Sequence, residues 1–201
     1  MTGKKKVLVI VAHPDDETIW MGGTLIRNKE NWEITIISLC RKDDEDRMPK
    51  FFKTCNFLNA KSFISDLDDE KLKEIDLDEI IQRVNELLNK NKREYDYVFS
   101  HGENGEYGHI RHKEVHKAVK EMIDKKMILC KKFFVFAYVK KSAPNTETGF
   151  DCYVDKSATK FINLKKVEFL MKKEMIKEIY GFSEGGFEER NCREQEAFNL
   201  D

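Results

Sequence analysis

The sequence predicts an α/β protein, a Rossmann-like three-layer sandwich with a mostly parallel sheet. Three observations lead there. Short β-branched runs alternate with helical periodicities through most of the chain, the pattern of strands joined by crossover helices. The first run, Lys6 to Val11, leads at once into Ala12-His13-Pro14-Asp15-Asp16-Glu17. A later run, Tyr95 to Ser100, leads into a segment with the other four histidines, His101, His109, His112 and His116. The two histidine-bearing segments share one layout of strand, polar loop and helix. Ligands of such sheets bind beyond the carboxyl ends of the strands, which is where both segments fall.

The elements follow in order. Val7 to Ala12 reads as the first strand, ended by the prolyl dipeptide because the residue before proline is pushed out of the helical region. His13 should then sit at the strand's mouth, with the three acids on the loop beyond. Ile19 to Lys29 reads as a helix containing Gly22 and Gly23, which weaken it or allow close packing. Ile34 to Leu39 is a second strand, Arg41 to Arg47 a charged loop, Met48 to Asn59 a helix, and Ser62 to Ile64 a short strand. Asp76 to Asn91 is amphipathic, with Leu77, Ile80, Ile81, Val84, Leu87 and Leu88 on one stripe. Tyr95 to Ser100 is a strand, Ile110 to Asp124 a helix, and Phe133 to Val139 another strand. Beyond Lys140 the pattern loosens. Phe150 to Val154 suits an edge strand, and Leu164 to Tyr180 a lysine-rich helix with Val167, Leu170, Met171 and Ile179 inward. The tail from Gly181 is rich in glycine and charge, yet keeps Phe182, Phe187 and Phe198.

A chain of 201 residues suits one catalytic domain with a full core, its motifs within about 4–140 and a strand, helix and tail over about 141–201. The net charge of -1 gives no global pull toward nucleic acid. Charged residues make up 36%, well above the roughly 25% of an average protein, and much of the excess is lysine on predicted helix surfaces. Five dispersed cysteines with no Cys-x-x-Cys pair and no signal peptide read as reduced thiols in a cytoplasm. No stretch approaches the roughly 20 apolar residues of a membrane span. No Gly-x-Gly-x-x-Gly follows the first strand and no Walker loop occurs, so the usual nucleotide-binding readings lose support.

One imidazole beside three adjacent carboxylates is a costly arrangement, since like charges repel at close range. A bound cation relieves that repulsion, so Ala12 to Glu17 points to a metal-dependent enzyme. A metal that activates water needs about three protein ligands, an open position and a nearby base that is not itself a ligand. His13 and Asp16, with two residues between them on a tight turn, can converge on one ion. Asp15 then points elsewhere and can take a proton from water. A histidine of the second segment can complete the ligand set, and another can stabilise an oxyanion. His109 and His112 share a helix face, as do His112 and His116.

These residues resemble the LmbE-like (PIG-L) de-N-acetylase family, whose members are zinc-dependent and remove acetyl groups from N-acetylglucosamine conjugates. The resemblance rests on His13-Pro14-Asp15-Asp16-Glu17 after a strand and on Gly108-His109-Ile110-Arg111-His112 after a glycine-rich loop. It implies His13, Asp16 and His112 as zinc ligands, Asp15 as general base and His109 as the group that stabilises the tetrahedral oxyanion. It also implies a substrate-binding arginine ahead of the second helix, matched in spacing by Arg47. Ile110-Arg111 stands where bacterial members often carry Pro-Asp, and the C-terminal third matches no motif.

Plainer readings stand beside these. Glu17 fits a supporting carboxylate behind the ligands or a helix-start charge. His101 fits a strand cap, His116 a satisfied surface or core histidine, and Tyr107 a packing residue on the loop. Arg47, after Asp43-Asp44-Glu45-Asp46, also fits a solvated salt-bridge partner. The expected partner is a small amino-sugar molecule, with a homo-oligomer left open. Rival functions are an amidase on a larger thiol-sugar conjugate, a non-catalytic metal- or sugar-binding module, and a magnesium phosphohydrolase. A free base beside Asp16 argues against a mere binding module. Histidine-rich ligation suits zinc or another divalent transition metal and argues against magnesium, which prefers oxygen ligands and water.

Overall fold

The computed structural model describes residues 3–88 and 93–201. A seven-stranded sheet runs in the order β3-β2-β1-β4-β5-β9-β8. Its strands are β1 (Lys5–Val11), β2 (Trp32–Ser38), β3 (Lys61–Ile64), β4 (Glu94–Ser100), β5 (Leu129–Phe136), β8 (Lys160–Asn163) and β9 (Gln195–Leu200). The first five are parallel. β9 runs antiparallel between β5 and β8. β6 (Tyr138–Ser142) and β7 (Phe150–Val154) form a separate antiparallel hairpin.

β1 is buried on both faces from Val7 onward, as expected of a central parallel strand. Val7, Val9 and Val11 join one core with α1 (Asp16–Asn28), α2 (Arg47–Phe57) and the segment after α6 (Lys166–Glu174). Leu8 and Ile10 join the other with α3 (Leu77–Leu88) and α5 (Ile110–Asp124), the helix that follows the short α4 (Gly105–Gly108). The chain winds outward from β1 in one direction through β2 and β3, and in the other through β4 and β5. The direction reverses between β1 and β4, and a crevice opens there beyond their carboxyl ends. His13 follows β1 and His101 follows β4, so the topology brings both histidine segments to one place.

Several elements differ from the sequence expectation. α1 begins at Asp16, so Asp16 and Glu17 lie in its first turn and not on a loop. Acids are favoured there by the unpaired N–H groups and the helix dipole. The expected 76–91 helix appears as Leu77–Leu88, and residues 89–91 lie outside the described residues. The expected strand over Phe133 to Val139 is divided at Ala137 between β5 and β6. The expected tail contains α7 (Phe187–Asn191) and β9, with Phe198 1% exposed in the core.

The largest correction concerns the last long helix, which runs as α6 and continues in a π-helical turn over Met175–Ile179. Met171 and Ile179 pack against the core as expected, but Val167 and Leu170 face solvent, while Glu168 and Lys172 are buried. Charge pairing overrides the apolar stripe. Arg27 of α1 holds Glu168 by two hydrogen bonds, at 2.9 and 2.5 Å. Lys172 donates to Glu196 at 2.8 Å, with both side chains fully buried. Glu196 also accepts from the Gly23 and Thr24 N–H groups at 2.8 Å and from Thr24 Oγ1 at 2.6 Å. It therefore caps the second half of α1, which is broken by non-helical φ/ψ at Met21. That break separates the site-bearing first turns from the rest of the helix.

Removing one member of a buried pair strands the other charge. Glu196→Gln should lower unfolding free energy by about 3–5 kcal/mol in equilibrium urea denaturation. A loss under about 1 kcal/mol would show that Lys172 does not depend on this carboxylate.

Candidate active site

The turn after β1 is built from its own acids. Asp15 caps α1 through its carbonyl, which accepts from the Thr18 and Ile19 N–H groups, both at 2.8 Å. Its φ of 114° is unusual for a residue with a side chain. The Glu17 carboxylate accepts the Asp15 N–H at 3.1 Å, the Thr18 hydroxyl at 2.6 Å and the Tyr180 hydroxyl at 2.8 Å. Burial raises Glu17 to about 7. It braces the turn from behind and makes no bond to the histidine cluster. Asp16 accepts the His13 N–H at 2.8 Å and Trp20 Nε1–H at 2.9 Å, so its carboxylate has little freedom.

Two imidazoles converge on the Asp16 carboxylate. His13 Nδ1 lies 3.2 Å from Asp16 Oδ2, His112 Nε2 lies 3.4 Å from Asp16 Oδ1, and the two ring nitrogens lie 3.2 Å apart. Tetrahedral sites with metal–ligand bonds of about 2.0–2.1 Å have ligand–ligand edges of about 3.3–3.4 Å. The far nitrogens of both rings meet carboxylates. His112 Nδ1 lies 2.6 Å from Glu106 Oε2, and His13 Nε2 lies 3.0 Å from Asp69 Oδ1. The His112–Glu106 contact is a hydrogen bond, whereas His13 Nε2 and Asp69 Oδ1 are close but misaligned for one; with a proton on each far side, the near nitrogens and the Asp16 carboxylate would face each other, which suits a cation. Burial lowers His13, but Asp16 and Asp69 outweigh it and lift the ring to about 10, so the carboxylates draw a positive charge to this point, a proton on Nδ1 that a metal would replace. Burial raises Asp16, yet the surrounding imidazoles, His112 first, hold it well below the usual carboxylate range.

Other donor groupings are close enough for an ion among the described residues. Asp16, His101 and His112 form one. His101 Nε2 already accepts the Ala12 N–H at 2.9 Å. That N–H leaves no room for a proton on Nε2, so the ring is neutral and carries its proton on Nδ1, toward Glu106. His13, Cys40 and Asp69 form another. There Arg41 holds Asp69 at 2.8 Å, and burial pushes the Cys40 thiol far up. His109 lies within reach of His13 and His112. Its ring packs edge-on to His13 at 4.8 Å between centroids, and its buried Nδ1 has no hydrogen-bond partner. Burial, then His112 and His13, lower it to about 4, so it is neutral at neutral pH.

Asp15 is 6% exposed and lines a cavity of about 170 Å³ with His13, Asp16, His109, Tyr107 and Arg47. Burial and the neighbouring Asp16 carboxylate raise it well above the usual range, against the pull of Arg47. Arg47 Nη1 donates to Asp15 Oδ2 at 2.6 Å, and its guanidinium stacks 4.5 Å from the Phe182 ring centroid. The structure thus corrects the solvated-pair reading of Arg47. Its ion-pair partner is Asp15 across the cavity, and the adjacent Asp44 accepts only its backbone N–H. His101 is likewise more than a strand cap, being fully buried beneath Asp16. His116 stands outside the cluster with Nδ1 bonded to the His101 carbonyl at 3.0 Å, as its plainer reading expected.

Sequence reading missed Glu106, Asp69, Arg41 and the wall formed by Phe187 and Glu188. The detectable signal was indirect. A ligating histidine usually gives its other N–H to a carboxylate, and Glu106 is the acid in the loop nearest His112.

The profile of the PIG-L family, described as GlcNAc-PI de-N-acetylase, matches residues 8–123. An uncharacterized protein, L374, of Acanthamoeba polyphaga mimivirus is 29% identical over 129 residues, covering 57% of this chain and 56% of that protein. The chain thus matches little more than half the length of this relative. The fold is similar to that of the conserved protein TT1542 from Thermus thermophilus, with a TM-score of 0.71, 14% identity, and coverage of 97% and 94% of the two chains. It is also similar to that of the N,N'-diacetylchitobiose deacetylase of Pyrococcus horikoshii, with a TM-score of 0.67, 17% identity, and coverage of 98% and 84%. With its profile match spanning both histidine segments, the chain belongs to the PIG-L family of GlcNAc-PI de-N-acetylases.

Proposed function

We propose that this protein is a zinc-dependent hydrolase that removes an N-acetyl group from an N-acetylglucosamine-type conjugate. The observation that carries this is the approach of His13 Nδ1 and His112 Nε2 to 3.2 Å from each other at the Asp16 carboxylate, with Oδ2 3.2 Å from the first and Oδ1 3.4 Å from the second. These three residues would hold the ion. Bound there, zinc would supply a Lewis acid that polarises a carbonyl and acidifies water. The family match and the named activity of the Pyrococcus deacetylase support amide hydrolysis as the reaction class.

The roles of the other residues follow from their positions. The Asp15 carboxylate faces the cavity beside Asp16, and burial with that neighbour holds it well above the usual carboxylate range, which suits a base that takes a proton from the attacking water. Passing that proton to the leaving nitrogen completes the balance. The C–N bond breaks, a C–O bond forms, and acetate and a free amine result. Neutral His109 on the cavity wall is suited to donate an N–H to the oxygen that gains negative charge. Arg47 orients Asp15, and its place on the same wall suits contact with substrate. Phe187 and Glu188 bring the C-terminal third to the cavity, which supports one catalytic unit over the 201 residues. Five free cysteines support a reducing compartment such as the cytoplasm.

Alanine at His13, Asp16 or His112 should lower bound zinc and abolish turnover, because three ligands cannot lose one and keep their geometry. Full zinc loading of each variant under chelator challenge would refute the ligand set. Asp15→Asn should keep zinc but lose about 10²- to 10⁴-fold in rate, since an amide cannot accept the proton. Turnover near that of the parent in a zinc-loaded Asp15→Asn protein would rule out the base.

His109→Ala should keep zinc, lower kcat strongly and leave KM nearly unchanged, as for a group acting mainly in the transition state. Loss of metal as ready as in His112→Ala would make it a ligand instead. The reaction class is tested by measuring acetate released from N-acetylated hexosamine derivatives. Cleavage of phosphate esters with no acetate from any amide would overturn the proposal.

A further inference from the structure

Glu106 has no role in the motif, yet it occupies the most constrained position in the loop. It is 1% exposed. Its backbone has φ 57° and ψ -57°, a strained conformation that residues with a side chain seldom adopt. Gly105 and Gly108 stand one and two residues away, so the loop is rich in the residue that would take this conformation at least cost. A glutamate held there instead points to a function of its side chain.

The side chain links two histidines. Its Oε2 lies 2.9 Å from His101 Nδ1 and 2.6 Å from His112 Nδ1. The two rings are stacked, 3.8 Å between centroids and 18° between planes, so both Nδ1 atoms present to one oxygen. The other oxygen accepts the Gly102 N–H at 2.8 Å. Gly102 is itself fixed, because a Cβ there would meet the Phe136 carbonyl at 2.6 Å.

The proton positions follow from the sheet outward. The Ala12 N–H, at the end of β1, points at His101 Nε2 at 2.9 Å. That nitrogen must be an acceptor, so the His101 proton is on Nδ1 and is donated to Glu106. The carboxylate is then an acceptor, and the His112 ring must turn its own Nδ1–H toward it. His112 Nε2 is left with its lone pair facing His13 and Asp16.

We propose that Glu106 is a positioning residue that locks His112 in the Nδ1–H tautomer and so sets the metal affinity of the site. This rests on the metal-site reading above. His101 is its second arm, transmitting the orientation of the β1 backbone to the ligand on α5. Neither residue touches the ion in this account.

Glu106→Gln keeps the size of the side chain but offers one acceptor and one donor end. If its oxygen faces Gly102, its NH₂ faces both imidazoles and drives their protons to Nε2, where a metal must displace one. If its oxygen faces the imidazoles, its NH₂ opposes the Gly102 N–H. Either way the lock is broken.

The test uses the full chain stripped of metal, titrated with zinc against a chromophoric chelator. Histidine tautomers are read in parallel by ¹⁵N NMR of the metal-free parent and variant, and thermal unfolding is followed without metal. We expect Nδ1–H signals for His101 and His112 in the parent. We expect Glu106→Gln to bind zinc roughly 10–100-fold more weakly, with a metal-free melting temperature within a few degrees of the parent. Zinc affinity within about twofold of the parent would overturn the proposal. So would an Nε2–H tautomer at His112 in the parent, a measurement that needs no variant. A fall in affinity accompanied by unfolding of the metal-free variant would make Glu106 a structural residue, also against the proposal. A parent that binds no zinc would overturn the metal-site reading and this inference together, whereas tight parental binding with no effect of Glu106→Gln would overturn this inference alone.

Discussion

The structure depends on holding carboxylates and imidazoles against one another with almost no exposed surface. Asp15, Asp16 and His112 are each under 10% exposed, and they meet His13 at the mouth of a strand buried on both faces. Groups so placed repel unless a positive charge sits among them. The protein prepares for that charge on several sides. Asp16 is pinned by a backbone N–H and by Trp20, and both facing imidazoles are backed by carboxylates. Nearby cations are already committed elsewhere, Arg41 to Asp69 and Arg47 to Asp15, so neither neutralises Asp16.

The fold makes this convergence possible by placing β1 beside β4 at the reversal of strand order. His13 and His112 are 99 positions apart in the chain and 3.2 Å apart in space. The C-terminal third completes the arrangement. β9 supplies Glu196 to cap the broken α1, and Tyr180 braces Glu17 behind the acidic turn. The same region lends Phe182 to Arg47 and Phe187 to the cavity wall. A fold of this kind hosts many reactions, so the chemistry is argued from the site and not from the sheet.

Much of this was legible in the residue order because its physical signals are local. Alternating periodicities mark the parallel strands and helices, and the acids after His13 advertise a charge that needs a partner. What escaped is non-local. Glu106 and Asp69 are two among 37 acidic residues, and only tertiary structure shows that each backs a histidine. The apolar stripe over Leu164 to Tyr180 holds at Met171 and Ile179, which pack on the core, but fails at Val167 and Leu170, because Glu168 and Lys172 find buried partners on α1 and β9. β9 was hidden in a tail of glycine and charge, since an antiparallel strand inserted between β5 and β8 leaves no crossover pattern. Arg47 looked like one charge in an acidic run, and its pairing with Asp15 spans 32 positions.

The central claim is that two imidazoles and the Asp16 carboxylate hold a metal at the β1–β4 crevice. X-ray absorption at the zinc edge tests it most directly, on the protein reconstituted with one equivalent of zinc. The account predicts a first shell of nitrogen and oxygen only, at about 2.0–2.1 Å, with outer-shell scattering from two imidazole rings. A sulfur scatterer at about 2.3 Å would place the ion with Cys40 instead. A shell without imidazole scattering would contradict the site altogether.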